Sequence, residues 1–184
     1  MTTEPGLNPS MEQNIKHSIK NESVKSLENL TIGKDGKAYE NSDSATCIVD
    51  LEKVKKQYEI WHDSFGGRIR PFYAVKCNPD PEIIKTLALL GAGFDCASKP
   101  EIETVLKVGE DMKAELGSRY MGIGPERIGF FHPCKMRSHL EYAKEMNVRK
   151  MTFDSINELE KIAEIYFGGN YDNIYIGHNY ALMD

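Results

Sequence analysis

The sequence predicts an α/β protein in which parallel strands alternate with helices. Short apolar runs of strand length recur along the chain, and amphipathic segments with helix-start signals follow them at intervals of roughly 21 to 35 residues. Such βα units build either an open doubly wound sheet or part of a (β/α)8 barrel. A complete barrel typically needs about 250 residues, so the length of 184 residues by itself favours the open sheet.

The N-terminal part of the chain differs in composition from the rest. Residues 1–44 are polar with few apolar positions, and we expect them to be partly mobile, whereas residues 45–184 form the α/β domain. Residues 46–49 predict a short buried strand, and Asp50 is placed to cap a helix that ends near Phe65. Apolar residues recur in this helix at steps of three and four, which gives it one apolar face.

The repeating units follow. Pro81 marks a helix start, and the segments Ser98–Glu101 and Ser155–Glu158 are capping boxes, in which a serine precedes a glutamate by three positions. The second helix of this series is expected to run through about Val108, and a further helix covers about 140–146. The predicted strands begin near residues 72, 93, 128, 150 and 174.

Composition and charge exclude several classes of protein. Charged residues make up 28% of the chain, and its net charge is −5. The negative net charge argues against binding to nucleic acid or to an anionic membrane, because either needs a basic surface. No apolar run approaches the roughly 20 residues of a membrane span, and the N-terminus lacks the apolar stretch of a signal peptide. We therefore expect a cytoplasmic protein.

Cysteine and histidine spacing predicts no metal site. The four cysteines lie far apart without a CxxC pair, and the five histidines show no HExxH or HxH arrangement. In a reducing compartment the cysteines are expected to be free thiols.

Three residues are candidates for chemistry. Lys76 ends an apolar strand, where ligands of parallel α/β folds bind, and a partly desolvated amine there forms an imine with an aldehyde more readily. Asp95 lies in the late part of the next strand, and a carboxylate between Phe94 and Cys96 is costly to bury unless it is paired, for instance with Lys76. Glu101 belongs to a capping box, but the first turn of its helix faces the same edge of the sheet. Each position also has an ordinary structural explanation as a solvated lysine, a turn aspartate or a cap.

With these residues placed, the chain resembles eukaryotic-type ornithine decarboxylases, a fold-type III family of pyridoxal-phosphate-dependent decarboxylases. The resemblance covers roughly residues 45 to 167, the N-terminal portion of the family. It rests on five blocks in the family order: Pro71–Asn78, Gly93–Lys99 with Glu101–Ile102, Pro125–Ile128, Pro133–Lys135 and Met151–Ser155.

The resemblance implies a fold, a cofactor and an activity. The fold would be a (β/α)8 TIM-type barrel, present here as about its first half, so that residues 45–184 are an incomplete pyridoxal-phosphate-binding domain. Lys76 would hold pyridoxal 5'-phosphate as a Schiff base, and Asp95 and Glu101 match acidic positions near the cofactor. The family decarboxylates L-ornithine to putrescine in polyamine biosynthesis, forms homodimers, and has an antizyme-like regulator as a partner.

The chain also departs from the family pattern. It is longer between Val105 and Glu126, and the extra Gly109–Gly124 stretch is expected to extend the helix or a surface loop. The family arginine at the end of the next strand has no counterpart in residues 174–180. The later glycine-rich phosphate loop, ring-stacking histidine, acid at the pyridine nitrogen and second-subunit residues have none either. We therefore expect a truncated chain with little or no decarboxylase activity alone.

Two alternative functions remain open at this point. The same fold could decarboxylate arginine, lysine or diaminopimelate, although Cys77 and the segment Cys96–Ser98 favour ornithine. A non-catalytic, antizyme-inhibitor-like binding protein is the other alternative. That class tends to lose the aspartate of the second block, which is retained here as Asp95.

Overall fold

The computed structural model describes residues 31–32, 38–39, 49–117, 120, 122–170, 174–177 and 180–183. The chain forms two compact units, residues 1–53 and 54–184. In the first unit, strands β1 (Thr31–Ile32) and β2 (Ala38–Tyr39) pair in antiparallel fashion. The rest of the predicted polar segment 1–44 and the predicted strand at 46–48 lie outside the described residues. Val49 is exposed and outside any strand, so the prediction that the buried strand reaches it is wrong.

The remaining elements alternate as the sequence predicts until the last two. The helices are α1 (Leu51–Ser64), α2 (Pro81–Leu89), α3 (Lys99–Leu116), α4 (Arg137–Glu145) and α5 (Ile156–Phe167). The strands are β3 (Phe72–Ala74), β4 (Gly93–Cys96), β5 (Ile128–Phe130), β6 (Lys150–Thr152), β7 (Ile174–Gly177) and β8 (Tyr180–Met183). Short 3-10 turns cover Val75–Cys77 and Pro125–Arg127.

The order of the parallel strands is that of a barrel segment. Strands β3, β4, β5 and β6 are parallel neighbours in chain order. A doubly wound sheet would reverse the strand order at a switch point and cover both faces with helices. The α/β prediction is therefore confirmed, and the partial barrel describes the sheet better than the open sheet does.

The last two strands depart from the predicted parallel pattern. The predicted strand near residue 174 exists as β7, but β7 pairs with β8 in antiparallel fashion, and β8 pairs antiparallel with β6. The prediction that β7 extends the parallel sheet is therefore wrong. A parallel crossover needs a dozen or more residues, whereas two residues separate Gly177 from Tyr180, which suits a hairpin.

The two faces of the parallel sheet differ in burial. Side chains on the helix-covered face are fully buried: Val75, Phe94, Cys96, Ile128, Phe130 and Met151. They pack with buried helix residues such as Ile84, Ile102, Leu140 and Ile162. Each such side chain contributes about 1.5–3 kcal/mol through removal of apolar surface from water. Alternate residues on the opposite face, including Phe72, Asp95, Phe131 and Thr152, are half-buried. In a barrel this opposite face would line the interior.

Side-chain caps fix where the helices begin. The Oδ1 atom of Asp50 accepts the backbone N–H groups of Glu52 and Lys53 at 3.1 and 3.3 Å, which confirms the predicted cap of α1. Ser98 and Ser155 cap α3 and α5 as predicted. Helix α1 ends before Gly66 and Gly67, which both have positive φ, and none of its residues is buried.

Helix α3 runs to Leu116, well beyond the predicted end near Val108, so part of the extra Gly109–Gly124 stretch is helical. Gly109 is required where the chain returns, because a Cβ atom there would lie 2.8 Å from the backbone nitrogen of Ile123. The extension also packs on α2, where Lys85 Nζ lies 2.8 Å from Glu115 Oε2. Among the residues that the structure describes, no helix is long and apolar enough to cross a membrane.

Candidate functional site

Lys76, Asp95 and Glu101 all lie at the carboxyl edge of the parallel strands. Lys76 belongs to the 3-10 turn that directly follows β3, and Asp95 lies in β4 opposite Ala74. Glu101 stands in the first turn of α3, which begins just after β4. The structure thus brings the three predicted site residues to one edge and places them on two neighbouring βα units.

Lys76 projects from the edge because its neighbour anchors the turn. Val75 is fully buried on the helix-covered face, whereas Lys76 is exposed. The desolvation that a strand-end position predicts is therefore absent. What the structure provides instead is an accessible primary amine whose backbone is held by a buried valine.

Asp95 is half-buried and incompletely paired. Its Oδ1 atom is buried and has no hydrogen-bond partner in the described part of the chain. Burial raises the pKa of Asp95 above its ordinary value, the positive charge of Lys76 opposes the rise, and Glu101 adds to it. Lys76 is thus an electrostatic partner of Asp95, as the sequence predicts, but it does not bond the buried oxygen. A carboxylate oxygen left in this condition is a group prepared to accept a hydrogen bond or hold a proton.

Glu101 serves the backbone and borders the site. Its Oε2 atom accepts the N–H of Ala97 at 2.7 Å, and its own N–H donates to Ser98 Oγ at 3.4 Å. The glutamate of a capping box usually reaches the N-cap residue itself, whereas here it reaches one residue earlier. This bond draws the carboxylate toward the end of β4, where Asp95 responds to its charge.

An aromatic layer lies on the same face as Asp95. The rings of Phe72 and Phe131 lie 5.6 Å apart between centroids, and the Lys150 ammonium lies 5.4 Å from the Phe72 ring. Two glycines make room for these rings. A Cβ atom on Gly93 would lie 2.7 Å from the Phe72 ring, and one on Gly129 would overlap the ring of Phe131.

A group of buried charges that the sequence did not reveal lies under the neighbouring strand ends. Lys135 and Glu158 are 3% exposed each, and Lys135 Nζ lies 2.9 Å from Glu158 Oε1. Lys161 Nζ lies 2.5 Å from Glu158 Oε2. The capping box at Ser155–Glu158 was recognisable in the sequence, but no spacing rule links its glutamate to a lysine 23 positions earlier. The available signal was a lysine in the connection that follows β5.

The segment after β5 carries an exposed histidine and an exposed thiol. The Nδ1 atom of His132 accepts the backbone N–H of Cys134 at 3.2 Å, and both side chains are exposed. Cys77 is also an exposed free thiol, whereas Cys96 is buried. Burial raises the pKa of the Cys96 thiol well above its ordinary value, which makes it unreactive. No group of three or more potential metal ligands occurs in the described segments.

The residues at this edge fit pyridoxal phosphate in part. The aldehyde needs an accessible primary amine, which Lys76 supplies, and a polar ring substituent would satisfy the unpartnered Asp95 Oδ1. A phosphate usually needs backbone N–H groups at a glycine-rich loop. In the described βα connections of the parallel strands no such loop opens a helix. The edge thus has groups that would attach the cofactor and bond its ring, and its described βα connections offer no glycine-rich loop that would hold the phosphate.

Comparison with known proteins identifies the domain. Residues 51–176 match the pyridoxal binding domain of pyridoxal-dependent decarboxylases. Ornithine decarboxylase of Neurospora crassa is 44% identical over 72% of this chain, which covers 25% of that protein. The chain therefore spans about a quarter of the length of this curated relative.

Two solved structures show the same likeness. Ornithine decarboxylase from Entamoeba histolytica is 37% identical with a TM-score of 0.55, over 65% of this chain and 32% of that chain. The arginine decarboxylase of Paramecium bursaria Chlorella virus is 34% identical with a TM-score of 0.54, over 65% of this chain and 28% of that chain. Because the family model matches more than half of its residues, the chain belongs to the pyridoxal-dependent decarboxylases, within their pyridoxal-binding domain.

Proposed function

We propose that the chain is the cofactor-attaching part of a decarboxylase that converts L-ornithine to putrescine and carbon dioxide. The observation that supports it most strongly is the accessible amine of Lys76 beside the unpartnered carboxylate oxygen of Asp95. The 44% identity to an ornithine decarboxylase supports the choice of substrate.

In this proposal the residues of the edge attach and orient the cofactor. Pyridoxal phosphate, when bound, supplies an aldehyde for attachment and a ring that stabilises the charge left when carbon dioxide departs. The Nζ atom of Lys76 is the attachment point. Asp95 accepts a hydrogen bond, or holds a proton, at Oδ1, and Glu101 fixes the N-terminal turn of α3 beside it. The aromatic pair of Phe72 and Phe131 limits access of water to this face.

The domain organisation and partners are part of the same proposal. Residues 1–44 form a polar segment and residues 45–184 an incomplete barrel domain that acts with further barrel strands. We infer a cytoplasmic location, a homodimer and recognition by an antizyme-like regulator. The family membership of the chain supports these inferences.

Attachment at Lys76 is tested by trapping. The 184-residue chain is mixed with pyridoxal phosphate, reduced with borohydride and digested, and the labelled lysines are located by mass spectrometry. We expect the label on Lys76 and a visible Schiff-base absorbance band that is lost in Lys76→Ala. The exposed Lys107, in the middle of α3, provides the control: Lys107→Ala should keep both signals. Label distributed over surface lysines in proportion to their exposure would contradict the proposal and leave a non-catalytic binding role.

Substrate choice is tested separately on preparations that pass the first test. Because the chain alone is expected to release little or no carbon dioxide, the concentration of ornithine, arginine, lysine or diaminopimelate that shifts the Schiff-base absorbance is measured. We expect ornithine to be preferred. Preference for arginine would instead favour a second candidate function, decarboxylation of arginine, which the 34% identity to an arginine decarboxylase supports.

A further inference from the structure

The buried ammonium of Lys135 makes three hydrogen bonds that meet at the ends of two strands. Its Nζ atom donates to the carbonyl oxygen of His132 at 3.0 Å and to that of Thr152 at 2.6 Å. The third partner is Glu158 Oε1 at 2.9 Å. An ammonium group has three donors, so the group is fully satisfied.

The two carbonyl groups belong to the carboxyl ends of neighbouring strands. Thr152 is the last residue of β6, and His132 lies two positions beyond the end of β5. The sheet register joins Phe130 to Met151 and reaches no further between these strands. Beyond the last backbone pairing of β5 with β6, the two strands are therefore joined by the side chain of Lys135 instead of by backbone hydrogen bonds.

Helix α5 holds Lys135 in place through Glu158 and Lys161. Glu158 Oε1 also accepts the backbone N–H of Lys135 at 3.1 Å, so one carboxylate oxygen fixes both ends of the lysine. Lys161 Nζ donates to the carbonyl oxygen of Lys135 at 2.6 Å and pairs with the other oxygen of Glu158. Because Glu158 lies in the first turn of α5, the strand ends are tied to the helix that follows β6.

A need for stability alone explains this arrangement poorly. Replacement of a buried ion pair by apolar residues of similar volume is often neutral or stabilising, so burial of the charges is not evidence of a stabilising role. What the three bonds do specifically is to fix the positions of the strand ends. They fix the segment from His132 to Cys134 and the end of β6 at the edge where Lys76 and Asp95 lie.

We propose that Lys135 is a positioning residue of the cofactor site. Its three bonds fix the position of the end of β5 relative to the end of β6, and both ends lie at the edge that carries the site. This inference rests on the proposed function, since it assigns Lys135 to the support of that site. Lys135 does not touch the cofactor, because its side chain is fully buried.

The test compares two variants that each remove a buried ammonium. Lys135→Met removes the three bonds at the strand ends. Lys85→Met removes the ammonium that pairs with Glu115 between α2 and α3, and Lys85 is 8% exposed. Amide hydrogen exchange of the 184-residue chain, followed by mass spectrometry without cofactor, reports the local effect. Titration with pyridoxal phosphate, followed by the Schiff-base absorbance, reports the effect on the site.

We expect Lys135→Met to lower protection of peptides covering residues 131–136 and 152–156 by about 10- to 100-fold, while the other peptides change little. Its affinity for pyridoxal phosphate should fall at least about threefold, because binding now has to order the edge. Lys85→Met should leave both quantities at the edge unchanged. A uniform loss of protection, or an unchanged affinity in a folded Lys135→Met chain, would overturn the proposal.

Two further controls keep the outcome decisive. If Lys135→Met does not fold, Glu158→Gln is used, which keeps the volume of the side chain and weakens the hold on Lys135. Its lower global stability should reduce protection throughout the chain, and the peptides covering residues 131–136 and 152–156 should lose more protection than the rest. If the wild-type chain shows no Schiff-base band, the proposed function fails. The exchange pattern still decides whether Lys135 holds the strand ends.

Discussion

Two strand-to-helix connections at the carboxyl edge, here called corners, share one sequence pattern. They differ in whether a buried carboxylate oxygen has a partner. The β4–α3 corner (residues 95–101) and the β6–α5 corner (residues 152–158) each end a strand and start a helix with a serine cap and a glutamate three positions later. In the first, Asp95 Oδ1 is buried without a partner. In the second, Glu158 is paired with Lys135 and Lys161.

The pKa values of the two buried acids move in opposite directions. Burial raises the pKa of Asp95, and Lys76 offsets the rise only in part. Burial also raises the pKa of Glu158, but the hydrogen bonds from Lys161 and Lys135 outweigh it and hold the pKa below its ordinary value. The difference separates an acid with an unpartnered oxygen from an acid whose two oxygens are both paired with lysines.

The largest expected effect comes from breaking the paired corner. Glu158→Gln should lower the free energy of unfolding by about 3 kcal/mol near neutral pH, because the buried Lys135 ammonium loses its counter-charge. The pKa of Glu158 is lowered in the folded state, so its contribution is present above the ordinary value of 4.5 and is lost as the pH falls through the folded-state value. Urea unfolding at several pH values measures both effects.

Glu160→Gln, an exposed position on the same helix, serves as the control and should change the free energy of unfolding by less than about 0.5 kcal/mol. Equal losses in the two variants would mean that the ion pairs at the β6–α5 corner do not stabilise the fold.

A smaller effect of opposite sign is expected at the unpaired corner. Asp95→Asn should raise the free energy of unfolding by about 1 kcal/mol near neutral pH, because a partly buried, incompletely paired charge is removed. The folded-state pKa of Asp95 is raised, so the folded chain is penalised above the ordinary value of 3.8, and the gain should vanish as the pH falls toward it. Affinity for pyridoxal phosphate should fall at the same time.

Asp154→Asn is the matched substitution at an exposed aspartate beyond β6. It should alter neither stability nor affinity. A loss of stability in Asp95→Asn would show that Oδ1 is paired in solution and would remove the contrast between the corners.

A last prediction, of similar size to the one at Asp95, tests what the corners share. Ser98→Ala and Ser155→Ala each remove a cap in which the serine oxygen accepts a backbone N–H at 3.4 and 3.3 Å. Each should lower the free energy of unfolding by about 1 kcal/mol. Urea unfolding of both variants should give losses that agree within about 0.5 kcal/mol. A much larger loss for Ser98→Ala would show that this cap also holds Glu101 and Asp95 in place.

Local patterns in the sequence predicted the features that depend on neighbouring residues. The caps at Asp50, Ser98 and Ser155 and the alternation of strands with helices are of this kind, and the structure confirms them. Lys76 and Asp95 could be placed at one edge because parallel strands align their carboxyl ends.

Features that depend on distant pairing could not be predicted in this way. The antiparallel position of β8 between β6 and β7 is set by competition for one sheet edge, which has no local signature. The ion pairs of Lys135 join residues far apart in the chain. The exposure of Lys76 depends on what covers the edge, whereas the sequence shows only that a strand ends there.

The close contact of Gly109 with Ile123 has a consequence for how this protein can change over evolution and in the laboratory. Helix α3 continues from Gly109 to Leu116, and Ile123 then lies against Gly109 shortly before β5 begins, so the two ends of this excursion lie close together. This excursion lies at the end of α3 away from Glu101, on the side of the sheet opposite the carboxyl edge. Its helical part is anchored by the buried Met112 and by the pair of Glu115 with Lys85, so a reporter or an affinity tag is best inserted after Leu116.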